Sequence, residues 1–221
     1  MSKINNDRNG CKDVFRSYLV QGARYDGKLE IPIIEAESAL PNRLIPFSKA
    51  LKTEDYDQWV HFYEDDEKFE RVWNKPYYYL QKLRKFKGVI TPDFSIYRDM
   101  PLVMQEWNTY RGKAIGHFLQ NHGIAVLPNV RTGDERTYDF CCNGIVPGKT
   151  ICVGSHGCVK INEERSFFKK GLDVIVEKIR PTCIVVYGTA PDDIFGKYKE
   201  KRINILQFDS EFAVSRKAVD A

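Results

Sequence analysis

The sequence predicts an α/β fold with a predominantly parallel sheet of six to eight strands that alternate with helices. Six short apolar runs, each followed by polar residues, lie near 59–63, 88–91, 124–127, 151–153, 183–187 and 203–206. Segments with the apolar spacing of helices lie between most of these runs, which is typical of a parallel sheet. The strand-to-strand step is usually about one (β/α) unit long, which favours a small or incomplete barrel over an open doubly wound sheet.

The first part of the chain is the least regular. Glycine and proline interrupt residues 1–57, where 31–34 is compatible with a short strand and 15–20 with a strand or a helical turn. Residues 66–83 predict one or two helices interrupted at Pro76. Asp99 is a suitable N-cap for a long helix with Pro101 in its first turn. The apolar face of that helix is predicted to comprise Val103, Trp107, Tyr110, Ala114 and Phe118.

The second half of the chain contains two further helices. Apolar residues at Phe168, Leu172, Ile175 and Ile179 predict a helix over about 163–179, and residues 189–198 predict a shorter one. The tail over 213–221 is polar enough to fray. Because no linker or repeat interrupts this pattern, residues 1–221 are expected to form one domain.

Composition and charge narrow the class of protein. The 221 residues are 43% hydrophobic, which suffices for a full core, and the formal net charge of +4 is spread along the chain rather than concentrated. The six cysteines show no C-x-x-C spacing, which indicates a reducing compartment. No apolar leader or membrane-length apolar run is present. The expected location is therefore the cytoplasm, with no membrane partner.

The polar loop that follows the strand at 88–91 is the first candidate site. The carboxyl ends of parallel strands meet at one edge of a sheet, so polar residues there are expected to lie together. Asp93 is positioned to act as a general base or a metal ligand, and Arg98 to bind phosphate through two nitrogens. Tyr97 is placed to stack on a base. The structural alternative is a capped loop in which Asp99 holds the helix start and Arg98 pairs with it.

A second polar cluster follows the strand at 124–127. Asn129 and Arg131 are candidate substrate contacts, and Arg136 is a further candidate anion contact. Asp134 is a candidate proton-transfer group. The alternative is that these charges form solvated ion pairs, each worth less than about 1 kcal/mol.

The sequence GSHGC at 154–158 forms the third cluster. Its two glycines allow the backbone to approach a phosphate, while Ser155, His156 and Lys160 add a hydroxyl, an acid or base, and a positive charge. His156 is the candidate catalytic residue, whereas Cys158 is more typical of a packed thiol. The spacing of a Walker loop is absent.

Acidic residues at several strand ends raise the question of a metal ion. Asp65, Asp66, Asp93 and Asp209 are candidate ligands for a divalent cation such as Mg²⁺ or Mn²⁺, with His61 nearby. No known metal-binding spacing supports this set, so the cofactor stays open.

Several long segments resemble a bacterial domain-of-unknown-function family whose members occur largely in phages, plasmids and integrative elements. The segments are GVITPDFSIYRDMP at 88–101, PNVR at 128–131, GDERTYDF at 133–140, GSHGC at 154–158 and YGTAPDDIF at 187–195. The resemblance runs from about residue 15 to 209. It implies a mobile-element origin and leaves the chemistry open.

Three functional hypotheses follow. The first is an enzyme that hydrolyses or transfers a phosphate-bearing substrate, either a nucleotide or a nucleic acid, at the carboxyl rim of the sheet. The second is a non-catalytic binder that sequesters a host nucleotide signal or contacts nucleic acid. The third is a protein that modulates a host protein through its irregular N-terminal region. Converging acids favour the enzyme, whereas the absence of a recognisable nucleophile or metal signature favours a binder.

Overall fold

The computed structural model describes residues 7–8 and 11–219, with side chains described for residues 12–216. The first ten residues, where the sequence shows no apolar leader, therefore lie largely outside the described part. Two small antiparallel pairs open the structure: β1 (Asp7–Arg8) with β2 (Cys11–Lys12), and β3 (Tyr25–Asp26) with β4 (Ile31–Pro32).

Two groups of parallel strands follow. The first group comprises β5 (Leu44–Pro46), β6 (Trp59–His61), β7 (Gly88–Ile90) and β8 (Val126–Leu127), paired in that order. The second comprises β9 (Thr150–Gly154), β10 (Cys183–Tyr187) and β11 (Asn204–Phe208), again paired in chain order.

A parallel bridge between Asn129 and Cys152 joins the two groups just past the end of β8. Cys152 N donates to Pro128 O at 2.9 Å, and Val130 N donates to Cys152 O at 2.9 Å. The parallel strands therefore lie side by side in the order in which they occur in the chain. Within the described residues no ladder joins β5 to β11. The predicted α/β class is confirmed, whereas a barrel stays a prediction.

Seven helices accompany the strands in the described residues. They are α1 (Phe47–Ala50), α2 (Asp66–Asn74), α3 (Pro76–Leu83), α4 (Leu102–Asn121), α5 (Asn162–Ile179), α6 (Asp192–Glu200) and α7 (Glu211–Val219). Pro76 begins α3, where its missing N–H breaks no helical hydrogen bond, so the predicted interruption between α2 and α3 is confirmed. None of these helices is both long enough and apolar enough to cross a membrane.

The core consists of three clusters. One packs the helices around β5–β8, and a second packs α5 and α6 against β9 and β10. The third contains residues of every parallel strand, including Leu44, Trp59, Ile90, Leu127, Cys152, Val185 and Leu206. Gly88 makes room for this interior cluster, because a Cβ there would lie 2.4 Å from the Trp59 ring.

Two expectations require correction. The first concerns strand β5, which was not predicted because Pro41 and Pro46 were read only as breakers, although an edge strand tolerates proline at its end. For residues 15–20 the alternative of a helical turn is confirmed by the 3-10 turn Ser17–Val20, and the short strand expected within 31–34 is β4, which pairs antiparallel with β3. Residues up to Val219 belong to α7 and residues 220–221 lie outside the described part, so fraying of the tail over 213–221 stays a prediction.

The second correction concerns the start and the buried face of α4. Its N-cap residue is Pro101, whereas Asp99 lies in the preceding turn. Val103 and Trp107, predicted to be buried, are 67% and 42% exposed, while Ala114 and Phe118 are buried as expected. The face that α4 buries is largely polar, which apolar spacing alone does not predict.

Candidate functional site

Asp93 lies just beyond β7 at the carboxyl edge of the sheet and is only 8% exposed. One of its oxygens, Oδ1, accepts a hydrogen bond from Asn129 Nδ2 at 2.7 Å, and Oδ2 accepts one from Arg131 Nη1 at 2.6 Å. The charge of Asp93 raises the pKa of Arg131. The three side chains, all predicted as site residues from the sequence, therefore form one charged cluster in which Asp93 and Asn129 are buried and Arg131 is partly exposed.

Asn129 is the centre of this cluster. Its backbone N–H donates to Thr91 Oγ1 at 2.8 Å, and its side-chain Oδ1 accepts from the Tyr63 hydroxyl at 2.9 Å. Its backbone carbonyl accepts from Lys113 Nζ at 2.7 Å. Because Asn129 is held at backbone and side chain alike, it presents its amide to Asp93 in a fixed orientation.

Lys113 is the unexpected member of the cluster. It extends from α4, is only 4% exposed, and makes no ion pair with a carboxylate in the described residues. Burial lowers its pKa to about 8. Gly112 lets α4 come this close, since a Cβ there would lie 3.0 Å from Pro92 O.

Tyr63 and two neighbouring rings cover the cluster on one side. Tyr63 stacks on Tyr187 with ring centroids 4.9 Å apart, and the His61 ring lies 4.3 Å from Tyr187. Burial raises the pKa of Tyr63 well above its ordinary value and lowers that of His61 to about 3. At neutral pH, His61 is therefore uncharged, and Tyr63 keeps the proton that it donates to Asn129.

The charged cluster opens into a cavity of about 760 Å³, hereafter the large cavity. Asp93 and Arg131 form part of its polar lining, with Tyr97, which is 57% exposed. The lining also contains the apolar side chains of Val153, Phe168, Leu172 and Ile175. A cavity of this size that combines apolar surface with a few polar groups is typical of small-molecule sites.

The loop after β9 completes the rim. Exposed His156 and Gly157 line the large cavity, and their backbone N–H groups donate to no protein acceptor in the described residues. Gly157 has a φ of 81°, which other residues rarely adopt. Ser155 is instead fully buried and donates to Thr189 O at 2.6 Å, which ties the loops after β9 and β10 together.

Arg98 lines the large cavity but is already occupied. Its Nη1 donates to Glu163 at 2.9 Å, and its Nη2 donates to Glu164. The guanidinium also lies 4.1 Å from the centre of the Phe167 ring. Arg98 therefore pairs with α5 rather than with Asp99, and its guanidinium is less available to an anion than that of Arg131.

Asp134 and Arg136 lie outside the large cavity. Asp134 accepts hydrogen bonds from both the backbone and the side chain of Arg136 and caps a short 3-10 turn, Glu135–Thr137. Arg136 lowers the pKa of Asp134, so this carboxyl stays ionised. The two residues thus form the ion pair that the sequence left as the alternative, while proton transfer by Asp134 and anion binding by Arg136 stay predictions.

The four candidate metal ligands are dispersed. Asp65 pairs with Lys68, Asp66 accepts hydrogen bonds from the backbone and hydroxyl of Ser95, and Asp93 pairs with Arg131. Asp209 lines a second cavity of about 150 Å³, hereafter the small cavity, together with Lys160. Between residues 12 and 216, no three side chains of the metal-ligating types converge.

Sequence reasoning missed Tyr63, Tyr187 and Lys113. The two tyrosines are the last residues of apolar runs that were correctly predicted as strands, so their position at the rim was a usable signal. Nothing in the sequence indicated that Lys113 is buried at the site, because a lysine within a helix is ordinarily solvent-exposed.

Comparison with known proteins gives a family and two relatives. The model of a domain of unknown function, DUF4417, matches residues 23–209. The chain is 36% identical over 129 residues to the Gene 1 protein of Mycobacterium phage D29, covering 58% of this chain and 48% of that protein. It is 33% identical over 129 residues to the Gene 1 protein of Mycobacterium phage L5, covering 58% and 56%. The match thus spans about half the length of these relatives, and no solved structure matches.

Proposed function

This chain belongs to the DUF4417 family, and from its site we propose that it binds a phosphate-bearing small molecule of the nucleotide class in the large cavity and hydrolyses it. The observation that carries this proposal is the ion pair of buried Asp93 with partly exposed Arg131, which opens into a cavity of about 760 Å³. We also propose that the parallel strands curl into an incomplete barrel, since one interior cluster contains residues from every one of them.

Arg131 is the proposed anion contact. It uses Nη1 to hold Asp93, and its Nη2 and Nε donate to no protein acceptor in the described residues. With its side chain 32% exposed, the guanidinium can receive a phosphate oxygen without leaving Asp93. The unpartnered amides of His156 and Gly157 are further donors of the kind that cradle phosphate.

The apolar part of the lining suits the body of a nucleotide. Val153, Phe168 and Leu172 offer apolar surface for a sugar or a base, and exposed Tyr97 offers a ring for stacking. A bare inorganic anion would leave this apolar surface uncovered. A nucleotide uses both the apolar and the charged residues, and for this reason it is proposed in preference to phosphate alone.

Hydrolysis is assigned to Asp93 and His156. Asp93 accepts a proton from water, the water oxygen forms a bond to phosphorus, and the bond from phosphorus to the leaving oxygen breaks. His156, exposed at the rim, gives its proton to that leaving oxygen. Asn129 and Arg131 hold the carboxylate of Asp93 in position for this transfer.

A specific observation favours non-catalytic binding as the second candidate. Both oxygens of Asp93 already accept a strong hydrogen bond within the protein. Such a carboxylate can simply be the counter-ion that fixes Arg131 for ligand binding. In that case the chain sequesters a nucleotide or the end of a nucleic acid strand without converting it.

The first experiment measures thermal shifts with mononucleotides, cyclic dinucleotides and short oligonucleotides, with and without magnesium or manganese. A ligand at a hundred times its dissociation constant stabilises the folded state by about 2.7 kcal/mol, or roughly 5–10 °C for a chain of this size. Arg131→Gln should remove the shift, while Arg136→Gln, which removes an equal charge outside the large cavity, should keep it.

Turnover of the binding nucleotide then separates the two candidates. Asp93→Asn keeps the size of the side chain, so a hydrolase should retain its ligand and lose its rate. A ligand that binds the original protein but is never consumed identifies a binder. A panel that yields no shift at all refutes nucleotide binding and leaves a protein partner to be sought.

A further inference from the structure

The small cavity lies beside the large one at the same edge of the sheet. It is formed by the loops after β9, β10 and β11 together with α7. His156 and Gly157 line both cavities, so the two spaces lie on either side of the same two residues. A single ligand that lies across the loop after β9 would contact both cavities.

Two cations line the small cavity. Lys160 Nζ lies 5.4 Å, and Arg216 Cζ 5.9 Å, from the centre of the Phe212 ring. Neither makes an ion pair in the described residues, although Lys197, Lys199 and Arg165 all do. Both side chains are exposed, so each is available to an anion.

The rest of the lining adds hydrogen-bond donors. The His156 ring lies 6.3 Å from the Phe212 ring. The backbone N–H of Thr189, like those of His156 and Gly157, has no protein acceptor in the described residues. Among the described residues of the lining, Asp209 is the one carboxylate beside the two cations Lys160 and Arg216.

The backbone holds the lining in place. Gly188 has a φ of 114°, and a Cβ at this position would lie 2.6 Å from Ser155 Oγ and 2.8 Å from His156 N. Ser155 Oγ donates to Thr189 O. The loops after β9 and β10 are therefore in direct contact, so the donors of the small cavity are pre-arranged rather than assembled by a ligand.

We propose that the small cavity binds a phosphate group and that, together with the large cavity, it selects nucleotides that carry more than one phosphate. The selection rests on the proposed function, whereas phosphate binding in the small cavity stands on its own residues. A volume of about 150 Å³ is that of about five water molecules at about 30 Å³ each, which is room for one phosphate group. Lys160 and Arg216 supply the opposing charge, and the loop amides supply directed hydrogen bonds.

The test of phosphate binding uses inorganic pyrophosphate and the full chain. Backbone amide resonances of His156, Gly157 and Thr189 should shift on titration. Lys160→Met with Arg216→Gln should weaken binding about tenfold for each cation removed. The matched control is Lys170→Met with Arg84→Gln, which removes the same charges from exposed positions that line neither cavity. Absence of shifts at these amides, or an equal loss in the control, overturns the proposal.

The test of selection compares AMP, ADP and ATP by calorimetry. ADP and ATP should bind at least about tenfold more tightly than AMP, and the Lys160→Met, Arg216→Gln protein should bind all three alike. AMP with added free phosphate should not reproduce the affinity of ADP, because the two groups must be covalently joined to share one binding event. Equal affinity for AMP and ATP in the original protein overturns selection.

The two proposals fail in different ways. Arg131→Gln should abolish AMP binding while leaving pyrophosphate in the small cavity. If no nucleotide binds but pyrophosphate shifts the three amides, the proposed function and the selection fail, and the anion site stands. If AMP binds at the large cavity and pyrophosphate does not bind at the small one, the proposed function stands, and both the anion site and the selection fail.

Discussion

Helices α4 and α5 are of similar length but bury opposite kinds of surface. Helix α5 buries Leu172, Ile175, Val176 and Ile179 against the sheet, whereas α4 buries Gln105, Asn108, Thr109, Arg111, Lys113 and His117 among its apolar residues. The difference follows from what each helix covers. Helix α5 packs on apolar strands, while α4 passes beneath the loops that hold Asp93 and Asn129, whose backbone and side-chain groups need donors.

Truncation of the apolar face of α5 should have the largest effect. Ile179 is 1% exposed, and Ile179→Ala should reduce the free energy of unfolding by about 2–5 kcal/mol through lost contacts and a cavity. Ile179→Val should lose only about 0.5–1.5 kcal/mol. The measurement is denaturation in urea. Ile161→Ala, at a position 63% exposed, is the control and should change little.

Removal of a buried charge on α4 should have the next largest effect. Arg111 donates to Glu70 at 2.6 Å and to Asn108 at 2.7 Å, and lies 3.9 Å from the centre of the Phe94 ring. Arg111→Ala leaves these groups without their partner and should destabilise by about 2–3 kcal/mol, reduced because Glu70 is partly exposed.

The comparison for Arg111 is an arginine on α5. Arg165 pairs with Asp193, whose side chain is 58% exposed, so Arg165→Ala should cost only about 1 kcal/mol or less. If Arg111→Ala and Arg165→Ala lowered the free energy of unfolding equally, the polar face of α4 would contribute no more to stability than an exposed ion pair.

Lys113 should make stability rise with pH. Its pKa in the folded protein is about 8, below the value of roughly 10.4 for an unfolded lysine. Between these values the unfolded chain binds the proton that the folded chain has released, so the free energy of unfolding increases with pH. From pH 7 to 9 the expected gain is about 1 kcal/mol relative to Lys113→Met, measured by urea denaturation at each pH. Parallel curves for the two proteins would contradict this.

The smallest effect is expected on the exposed face of α4. Val103 is 67% exposed, so Val103→Gln should change the free energy of unfolding by less than about 0.5 kcal/mol, and glutamine's better helix propensity favours a slight gain. If Val103→Gln lowered the free energy of unfolding as much as Ile179→Ala, Val103 would belong to a buried apolar face, as the sequence predicted.

This comparison also shows how far sequence reasoning extends. The run of apolar residues in β10 and the periodic face of α5 were predicted because both bury apolar surface, which sequence patterns record directly. The polar face of α4 was missed because its burial depends on partners distant in the chain. Gly112 and Gly116 allow that approach, and nothing local distinguishes them from ordinary helix glycines.

The residues of the candidate site likewise fall into those that sequence patterns predict and those that they miss. Asp93, Asn129 and Arg131 were predicted because each lies just beyond a recognisable strand, and parallel topology brings such ends together. Asp134 and Arg136 were assigned roles from residue type alone, but they satisfy each other two residues apart. The place of Lys113 in the site could not be predicted from the sequence, because its partner is the backbone carbonyl of Asn129.

The chain-order arrangement of the parallel strands has a consequence for how the molecule is made. Each new strand from β6 to β8, and from β10 to β11, pairs with the strand synthesised just before it. Such neighbours shorten the loops that must close before contacts form, which lowers the entropic barrier to folding. The growing chain can therefore add one strand and helix at a time as it leaves the ribosome, without waiting for its C-terminus.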